Sequence, residues 1–337
     1  MARVAGVSSS TVSHVINNTR YISPSTRKAV LDAIESTGYL ADGIARSLRT
    51  GTTQSIGLAM SALSNTYFAA FVHAIEKEIS RSGFSLVLAD THDDPEREAR
   101  AVQEILALRV DGMIVAPTNG SVAALDKLAA HNVPTILIDR VPPDPLRRGM
   151  DAIGVENAEP TAQLVDHLAE IGHSRIAFVG PNSALSTTRE RLEGFREGLR
   201  RNGIEADDEL ITSGGTPENP TPARIAQLFD LEDPPTAIVA GNNEMTISVM
   251  QQLRGHGRRV PDDVALVCFD DFEWADLFAP RLTAMAQPAD EIGRRAVQML
   301  FERLKDRDLE SRVVRLPPTF EHRDSCGPAA LHRRHRR

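Results

Sequence analysis

The stretch that decides the fold is "VALVCFD", residues 264–270, an apolar run that ends in an acidic residue. Such a run, bounded by polar residues, is typical of a strand with both faces buried in a parallel sheet. Cys268 lies inside it, and we interpret this cysteine as a small core residue. Six similar runs precede it: "SIGLAM" (55–60), "FSLVLA" (84–89), "GMIVA" (112–116), "TILID" (135–139), "RIAFVG" (175–180) and "TAIVAG" (236–241).

Amphipathic helical patterns separate these runs. In residues 67–82 the apolar side chains recur at helical spacing, on one face. Similar patterns cover residues 96–108, 160–171, 189–202 and 244–256. The alternation predicts an α/β fold whose parallel sheets are covered by helices on both faces. The number of predicted strands favours two sheets over one. We therefore expect two lobes, separated by the Pro-rich stretch 140–160.

Polar residues follow the strands, at the edge where open parallel sheets bind ligands. They are "THDD" (91–94), "PTN" (117–119), "DR" (139–140), "PNS" (181–183), "NN" (242–243) and "DD" (270–271). Two such edges that face each other would form a cleft suited to a polar, uncharged small molecule. The chain has neither a Walker-type phosphate loop nor a dinucleotide-binding glycine motif, which disfavours a nucleotide-dependent enzyme.

The composition indicates a globular protein, with 41% hydrophobic and 25% charged residues among 337. The two cysteines, Cys268 and Cys326, are too few for a disulfide framework or a metal cluster, and they favour a reducing cytoplasm. No apolar run is long enough to cross a membrane. We therefore expect a cytoplasmic protein without membrane association, catalytic residues, cofactor or metal.

The charge is distributed unevenly along the chain. Residues 1–50 carry a net charge of +3, whereas the whole chain carries −8. A basic head on an acidic body indicates that the head meets a polyanion such as DNA. The chain ends in the basic sequence "LHRRHRR" (331–337), which we interpret as part of a disordered tail.

Residues 1–50 contain no strand-like run. Within "GVSSSTVSHVINNTRYIS" (6–23), Ser8 is expected to cap a helix over Ser9–Asn17. A second helix is predicted over 23–39, capped by Ser23 or Ser25, and a short third one over 42–48. The side chains expected to face the core of this head are Val12, Val15, Ile16, Val30, Leu31 and Ile34.

These motifs resemble the lactose-repressor/galactose-repressor (LacI–GalR) family of bacterial transcription regulators. The resemblance covers essentially the whole chain, and the head is most similar to the purine-repressor branch. The matching stretches are "AGVSSSTVSHVINNTRYIS", "IARSLRTGTTQSIGLAM", "IDR" (138–140), "TTRERLEGF" (187–195), "AGNNEM" (240–245), "VPDDVALVCFDD" (260–271) and "PRLTAMAQP" (280–288).

The resemblance implies a small all-α helix-turn-helix head followed by a two-lobed α/β core that is similar to periplasmic binding proteins and contains parallel sheets. It places a DNA-binding domain at 1–41 and a hinge helix with its linker at 42–52. The effector-binding and dimerisation core follows at 53–325, and the basic tail at 326–337. The lobes are expected at about 53–156 and 157–284, with the chain crossing back after 285.

In this family the helix Ser9–Asn17 enters the major groove of operator DNA. The resemblance assigns base or phosphate contacts to Ser8, Ser9, Ser10, Thr11, His14 and Arg20. Paired hinge helices enter the minor groove, where Leu48 would wedge into a base step and Ala45 would pack against the groove.

The resemblance also implies an effector cleft lined by Thr187, Arg191, Asn242 and Asp270, with an aromatic wall from Tyr67 or Phe68. Leu185 stands where the purine repressor carries an arginine, which disfavours a purine and favours a sugar or related polyol. Two further departures are Asn243 in place of an aspartate and Thr216 in place of an aromatic residue. Alternatively, Asn242 and Asp270 only cap strand ends and helix starts.

We therefore expect a repressor that binds two-fold, double-stranded operator DNA as a homodimer under control of a small polar effector. Only "MARVA" precedes Gly6, where the family has a full first helix, and Met1 stands where the family has valine. This favours the hypothesis that translation starts further upstream.

Three alternatives remain open. The first is a truncated effector sensor without DNA binding, and the second is a plain solute-binding protein. The third is an enzyme on an α/β scaffold, for which "HDD" (92–94) would be a fragment of an active site. A solvated loop is the competing interpretation of those residues.

Overall fold

The computed structural model describes residues 2–17, 20–37, 52–61, 66–142, 145–215, 219–272 and 274–327. The chain divides into two compact units, Met1–Thr53 and Gln54–Arg337. The predicted hinge residues Ala45 and Leu48, and also Thr216, lie outside the described residues.

The smaller unit contains helix α1 (Ser9–Asn17) and helix α2 (Pro24–Thr37). Val12, Val15 and Val30 form its buried centre. The prediction for Leu31 was wrong, because this side chain is 51% exposed and Ala33 is buried instead. The reason is helical spacing: Val30, Ala33 and Ile34 share one face, whereas Leu31 lies about 100° further round the helix.

Both helices of the smaller unit begin at a serine cap. The Thr11 amide donates to Ser8 Oγ over 3.1 Å, and the Thr26 amide donates to Ser23 Oγ over 3.3 Å. The predicted cap at Ser8 is confirmed, and Ser23 rather than Ser25 caps α2. Before α1, residues 2–7 form turns, and three small side chains pack against the centre of the unit, namely those of Ala2, Ala5 and Val7.

The larger unit alternates strands with helices, as the sequence predicts. Its strands are β1 (Ser55–Met60), β2 (Ser85–Asp90), β3 (Gly112–Val115), β4 (Thr135–Asp139), β5 (Asp151–Val155), β6 (Ile176–Gly180), β7 (Ile211–Ser213), β8 (Ala237–Ala240), β9 (Ala265–Phe269), β10 (Thr283–Ala286), β11 (Val313–Leu316) and β12 (Thr319–Glu321). Its helices are α3 (Thr66–Arg81), α4 (Pro95–Ala107), α5 (Val122–Ala130), α6 (Ala158–Glu170), α7 (Ser186–Arg201), α8 (Thr221–Asp230), α9 (Asn243–Gly255) and α10 (Ala289–Lys305). None of these described helices is both long and apolar enough to cross a membrane.

The strands form two six-stranded sheets with the same internal plan. The first has the order β11-β5-β4-β3-β1-β2, and the second has the order β12-β10-β9-β8-β6-β7. All neighbouring strands are parallel except β10 and β12, which are antiparallel. In each sheet the order of the strands reverses beside the strand that comes first along the chain, which is β1 in the first sheet and β6 in the second. Ligands of open parallel sheets bind at such reversals, beyond the carboxyl ends of the strands.

The predicted boundary stretch 140–160 contains a strand of the first sheet. All five residues of β5 are buried, although the strand begins with an aspartate. The Asp151 carboxylate accepts two hydrogen bonds from Arg303 of α10, at 2.9 and 3.0 Å. A buried charge is tolerated when it is paired and hydrogen-bonded in this way. The sequence did not predict β5 because its charge partner is 152 positions away.

Helices α6 and α7 approach each other closely through glycine. A Cβ on Gly194 would lie 1.9 Å from the carbonyl oxygen of Ala158, and one on Gly198 would lie 2.6 Å from Val165 Cβ. The absence of a side chain at these positions therefore sets the separation of the two helices. This packing fixes where Arg191, one turn before Gly194, projects.

Candidate functional site

The start of α1 presents small hydroxyl side chains to solvent. Ser9, Ser10 and Arg20 are exposed, whereas Thr11 and His14 are half-buried. The first turn of α1 contains no acidic residue, so the positive end of the helix dipole is not neutralised there. Exposed amides and hydroxyls at a helix N-terminus are suited to phosphate oxygens and base edges.

Ser8 differs from its neighbours because its hydroxyl oxygen accepts a hydrogen bond from the backbone of α1. Ser8 Oγ accepts from the Thr11 amide and lies 2.9 Å from Ser10 Oγ and 2.8 Å from Thr11 Oγ1. This serine therefore supports the helix start, while Ser9 and Ser10 remain the exposed hydroxyl residues beside it.

In the larger unit, Arg191 of α7 connects the carboxyl edges of both sheets. Its side chain is buried, with Nε donating to Asn157 Oδ1 over 2.9 Å and Nη1 donating to the Gly241 carbonyl over 2.6 Å. Asn157 follows β5 of the first sheet, and Gly241 follows β8 of the second. The guanidinium also lies over the ring of Phe269 at 3.7 Å, a cation–π contact.

Asp270 lies directly beyond β9, close to this guanidinium. Its Oδ1 accepts from Gln287 Nε2 and lies 3.8 Å from Arg191 Nη2. Its backbone has φ +75°, a left-handed conformation that is uncommon outside glycine and occurs at functional sites. The residue is buried, so its charge acts in a low-dielectric environment.

Asp139 occupies the corresponding position at the end of β4 in the first sheet. It is also buried and left-handed, with φ +66°. Burial raises its pKa from 3.8 to about 6, with further increases from the charges of Asp270 and Asp93, while Arg140 and Arg191 act in the opposite direction. The pKa of the Asp139 carboxyl group thus depends on charged residues at the edges of both sheets.

Arg140 and Asp93 form a second charged pair beside Asp139. The Arg140 guanidinium donates two hydrogen bonds to the Asp93 carboxylate, one of them at 3.1 Å, and lies 5.8 Å from the centre of the Phe68 ring. The pairing raises the pKa of Arg140 against the effect of its burial. Glu98 lies nearby, fully buried, and desolvation raises the pKa of its carboxyl group.

A cavity of about 640 Å³ opens at this edge of the larger unit. Its walls come from the loop after β3, from Arg140, and from the start of α7 with Leu185, Ser186 and Arg189. The volume is typical of a small-molecule site. Arg191 and Asp270 do not form its wall in this structure, since their polar atoms are directed at Asn157, Gly241 and Gln287.

The predicted effector residues differ in their surroundings. Thr187 is buried in the first turn of α7, four positions before Arg191. Asn242 caps α9, with Oδ1 accepting from the Met245 amide over 2.9 Å. Phe68 is buried in the core of the larger unit beside Phe71. The side chain of Tyr67 lies outside the described residues.

Three residues near this edge were not assigned as effector ligands from the sequence, although "DR" (139–140) was placed at the edge of the sheet. Asn157 bonds Arg191 and also donates to Glu190 Oε2 over 2.7 Å, while Asp139 and Arg140 form the charged edge of the first sheet. The motif "IDR" contained the signal for the last two. Asn157 had no comparable signal, because its role depends on the position of α7 in three dimensions.

The fold and the site define a class of protein in which a helix-turn-helix head precedes a two-lobed core of the periplasmic-binding-protein type. Residues 1–42 match the family described as bacterial regulatory proteins, lacI family, and residues 165–326 match the periplasmic binding protein-like domain.

Relatives match over nearly their full length. The HTH-type transcriptional repressor PurR of Photobacterium profundum is 33% identical over 327 residues, which are 96% of this chain and 97% of the relative. The chain belongs to the LacI family of bacterial transcription regulators, as its sequence motifs predict.

Solved structures of the family have the same architecture. The lac repressor dimer bound to operator and the anti-inducer ONPF has a TM-score of 0.82 at 26% identity, over 96% of this chain and 97% of that one. The complex of the transcriptional regulator CelR with cellobiose has a TM-score of 0.73 at 28% identity, over 96% of this chain and 98% of that one.

Proposed function

We propose that this protein is a cytoplasmic transcriptional repressor, not an enzyme, that binds two-fold operator DNA as a homodimer. A polar, uncharged effector, a sugar or related polyol, controls it from the cleft of the larger unit. The observation that carries the proposal is the Arg191–Asp270 pair, which lies where the two sheet edges meet in a chain whose head matches a DNA-binding family.

The chemistry of the cleft favours a polyol. Arg191 is a donor and Asp270 an acceptor of the kind that bonds neighbouring hydroxyl groups of a sugar. The buried carboxylates Asp139 and Asp270 disfavour an anionic ligand next to them. The relative that is solved with cellobiose supports this choice, whereas Leu185 argues against a purine despite the similarity to PurR.

DNA binding rests on the exposed start of α1. We assign contacts with bases or phosphates to Ser9, Ser10, Thr11, His14 and Arg20, and a helix-stabilising role beside the phosphate to Ser8. Ala45 and Leu48 keep their predicted role in the minor groove.

A homodimer follows from the two-fold symmetry of such operators. The larger unit offers exposed apolar side chains for it, of which Leu277 is 84% exposed and Trp274 is 38% exposed. The ring of Trp274 contacts those of Phe272 and Phe278 in tilted arrangements, with ring centroids 4.9 and 6.1 Å apart. Apolar surface of this kind is typical of protein interfaces.

The deciding experiment is a fluorescence-anisotropy titration, at stated salt, of the full chain against promoter DNA from around its own gene. Specific binding that a sugar from a screened panel weakens or strengthens would support the proposal. Sugar-induced thermal stabilisation without specific DNA binding would replace it with an effector sensor. Specific binding that purine bases and no sugar modulate would overturn the assignment of the effector.

A further inference from the structure

A cluster of two histidines and one cysteine lies in the larger unit, among residues that the effector cleft does not use. His167 belongs to the last turn of α6, whereas His322 and Cys326 follow β12 near the end of the described chain. One ligand atom from each residue lies within 4.8 Å of those of the other two. We call these three residues the His–Cys cluster.

The internal geometry of the cluster is already close to that of a metal site. Cys326 Sγ lies 3.3 Å from His322 Nε2, and the rings of His167 and His322 are 5.0 Å apart at an interplanar angle of 72°. Tetrahedral zinc with Zn–S of about 2.3 Å and Zn–N of about 2.0 Å separates sulfur and nitrogen by roughly 3.5 Å. The Cys326–His322 pair, which is joined by a hydrogen bond in this structure, is close to this value. The three ligand atoms lie within 4.8 Å of one another, so the most distant pair would have to approach by roughly 1 Å to bind one ion.

The backbone around Cys326 is held firmly in place. On one side, Ser325 Oγ donates to the Leu266 carbonyl over 2.6 Å and accepts from the Thr283 amide over 2.8 Å. On the other side, His173 Nε2 bonds the Gly327 carbonyl over 3.1 Å. Ser325 and His173 are both buried. The thiol is thus positioned by contacts that do not depend on a bound ion, which lowers the cost of ordering a ligand.

His167 supplies the observation that points to a ligand. Its Nε2 is buried and has no hydrogen-bond partner among the residues that the structure describes. A buried polar atom without a partner is costly, and a metal ion would satisfy it. His322 is exposed, so an ion can enter the cluster from solvent.

We propose that the His–Cys cluster binds one zinc ion through His167, His322 and Cys326, with water in the fourth position. Imidazole nitrogen and thiolate sulfur are the ligands that zinc prefers, whereas calcium and magnesium take oxygen ligands. The sequence predicted no metal site because the cysteines are few and His167 is far from the other two ligands along the chain. Zinc would tie the C-terminal turn of α6 to the segment after β12.

Zinc binding is measured on the full chain after treatment with a chelator. Isothermal titration is expected to show one Zn²⁺ per chain, and Co²⁺ is expected to give a thiolate-to-cobalt charge-transfer band. Loss of an outer-sphere partner alone weakens metal sites by about 10–100-fold, so Cys326→Ser and His322→Ala are each expected to weaken Zn²⁺ binding by about 100-fold or more. Cys326→Ser is expected to remove the cobalt band.

A matched control separates this site from the basic tail, which carries His332 and His335. The double substitution of these two histidines by alanine is expected to leave Zn²⁺ affinity unchanged. His322→Ala alters an exposed side chain, so the fold should tolerate it. Zinc affinity that survives both Cys326→Ser and His322→Ala, affinity that disappears with the tail histidines, or no binding at all would each overturn the proposal. None of these outcomes bears on DNA binding or on the sugar effector.

Discussion

Arg191 Nη2 and Asp270 Oδ1 lie 3.8 Å apart, which is beyond hydrogen-bond distance, although both side chains are buried. Each makes its shorter contacts with other groups, Arg191 with Gly241 and Asn157 and Asp270 with Gln287. The two charged groups therefore face each other without a direct hydrogen bond, and in this structure the polar atoms of both are bonded to protein groups.

Asp270→Asn keeps the shape of the side chain and removes its charge. Hydrogen bonds to charged groups contribute about 1.5–3 kcal/mol, so effector affinity is expected to fall by about 10–100-fold. Operator affinity without effector should stay within about threefold, since the head is unchanged. Anisotropy titrations of operator DNA with and without effector measure both. The exposed Asp208→Asn serves as control. Unchanged effector sensitivity would mean that Asp270 only supports the strand end.

The raised pKa of Asp139 predicts a dependence of stability on pH. Its folded-state pKa of about 6 exceeds the ordinary value of 3.8, so the folded chain holds the proton more tightly than the unfolded chain. The corresponding stabilisation is complete below about pH 4 and is lost as the pH rises through 6. At 1.36 kcal/mol per pKa unit, the loss amounts to about 3 kcal/mol.

Asp139→Asn should remove this dependence. Relative to the parent protein, the variant is expected to gain about 2–3 kcal/mol in free energy of unfolding between pH 4 and pH 7. Urea denaturation at several pH values measures the difference. A parallel pH dependence in both proteins would show that Asp139 ionises normally in the folded state.

Substitutions of two serines at the start of α1 are expected to distinguish a loss of helix stability from a loss of DNA recognition. Ser8→Ala removes the cap and is expected to cost the head about 1 kcal/mol. Ser10→Ala alters an exposed hydroxyl and should leave stability unchanged, while specific DNA affinity falls by about 5–100-fold if Ser10 contacts a base. Thermal unfolding and operator titrations distinguish the two effects. Full operator affinity in Ser10→Ala would exclude this serine from recognition.

The close packing of α6 and α7 is expected to support effector affinity, because it holds Arg191 next to Asn157. Gly194→Ala places a Cβ 1.9 Å from the Ala158 carbonyl oxygen and must separate the helices. We expect a loss of about 1–3 kcal/mol in stability and weaker effector binding, because Arg191 moves away from Asn157. In Gly255→Ala no heavy atom lies within 4 Å of the new Cβ, so this control should be neutral or slightly stabilising. Equal effector affinity in both variants would argue against a positioning role for this packing.

The sequence by itself determined the features that depend on neighbouring residues. Apolar runs such as 264–270 specify buried strands, and serines before amphipathic stretches specify helix starts, as Ser8 does for α1. The acidic residues that close "TILID" and "VALVCFD" also marked the sheet edges where the cleft lies. These signals act over a few residues, so a single chain displays them directly.

Only the tertiary structure decided which charged and polar groups are buried together. Asp151 became part of a buried strand because Arg303, 152 positions later, neutralises it. Asn157 lies next to Arg191 because two glycines let α6 and α7 approach each other closely. The His–Cys cluster forms because β12 pairs with the second sheet and its Phe320 contacts His167 of α6. The free energy of a buried charge or imidazole depends on its surroundings in space, and sequence spacing carries no information about partners so far apart.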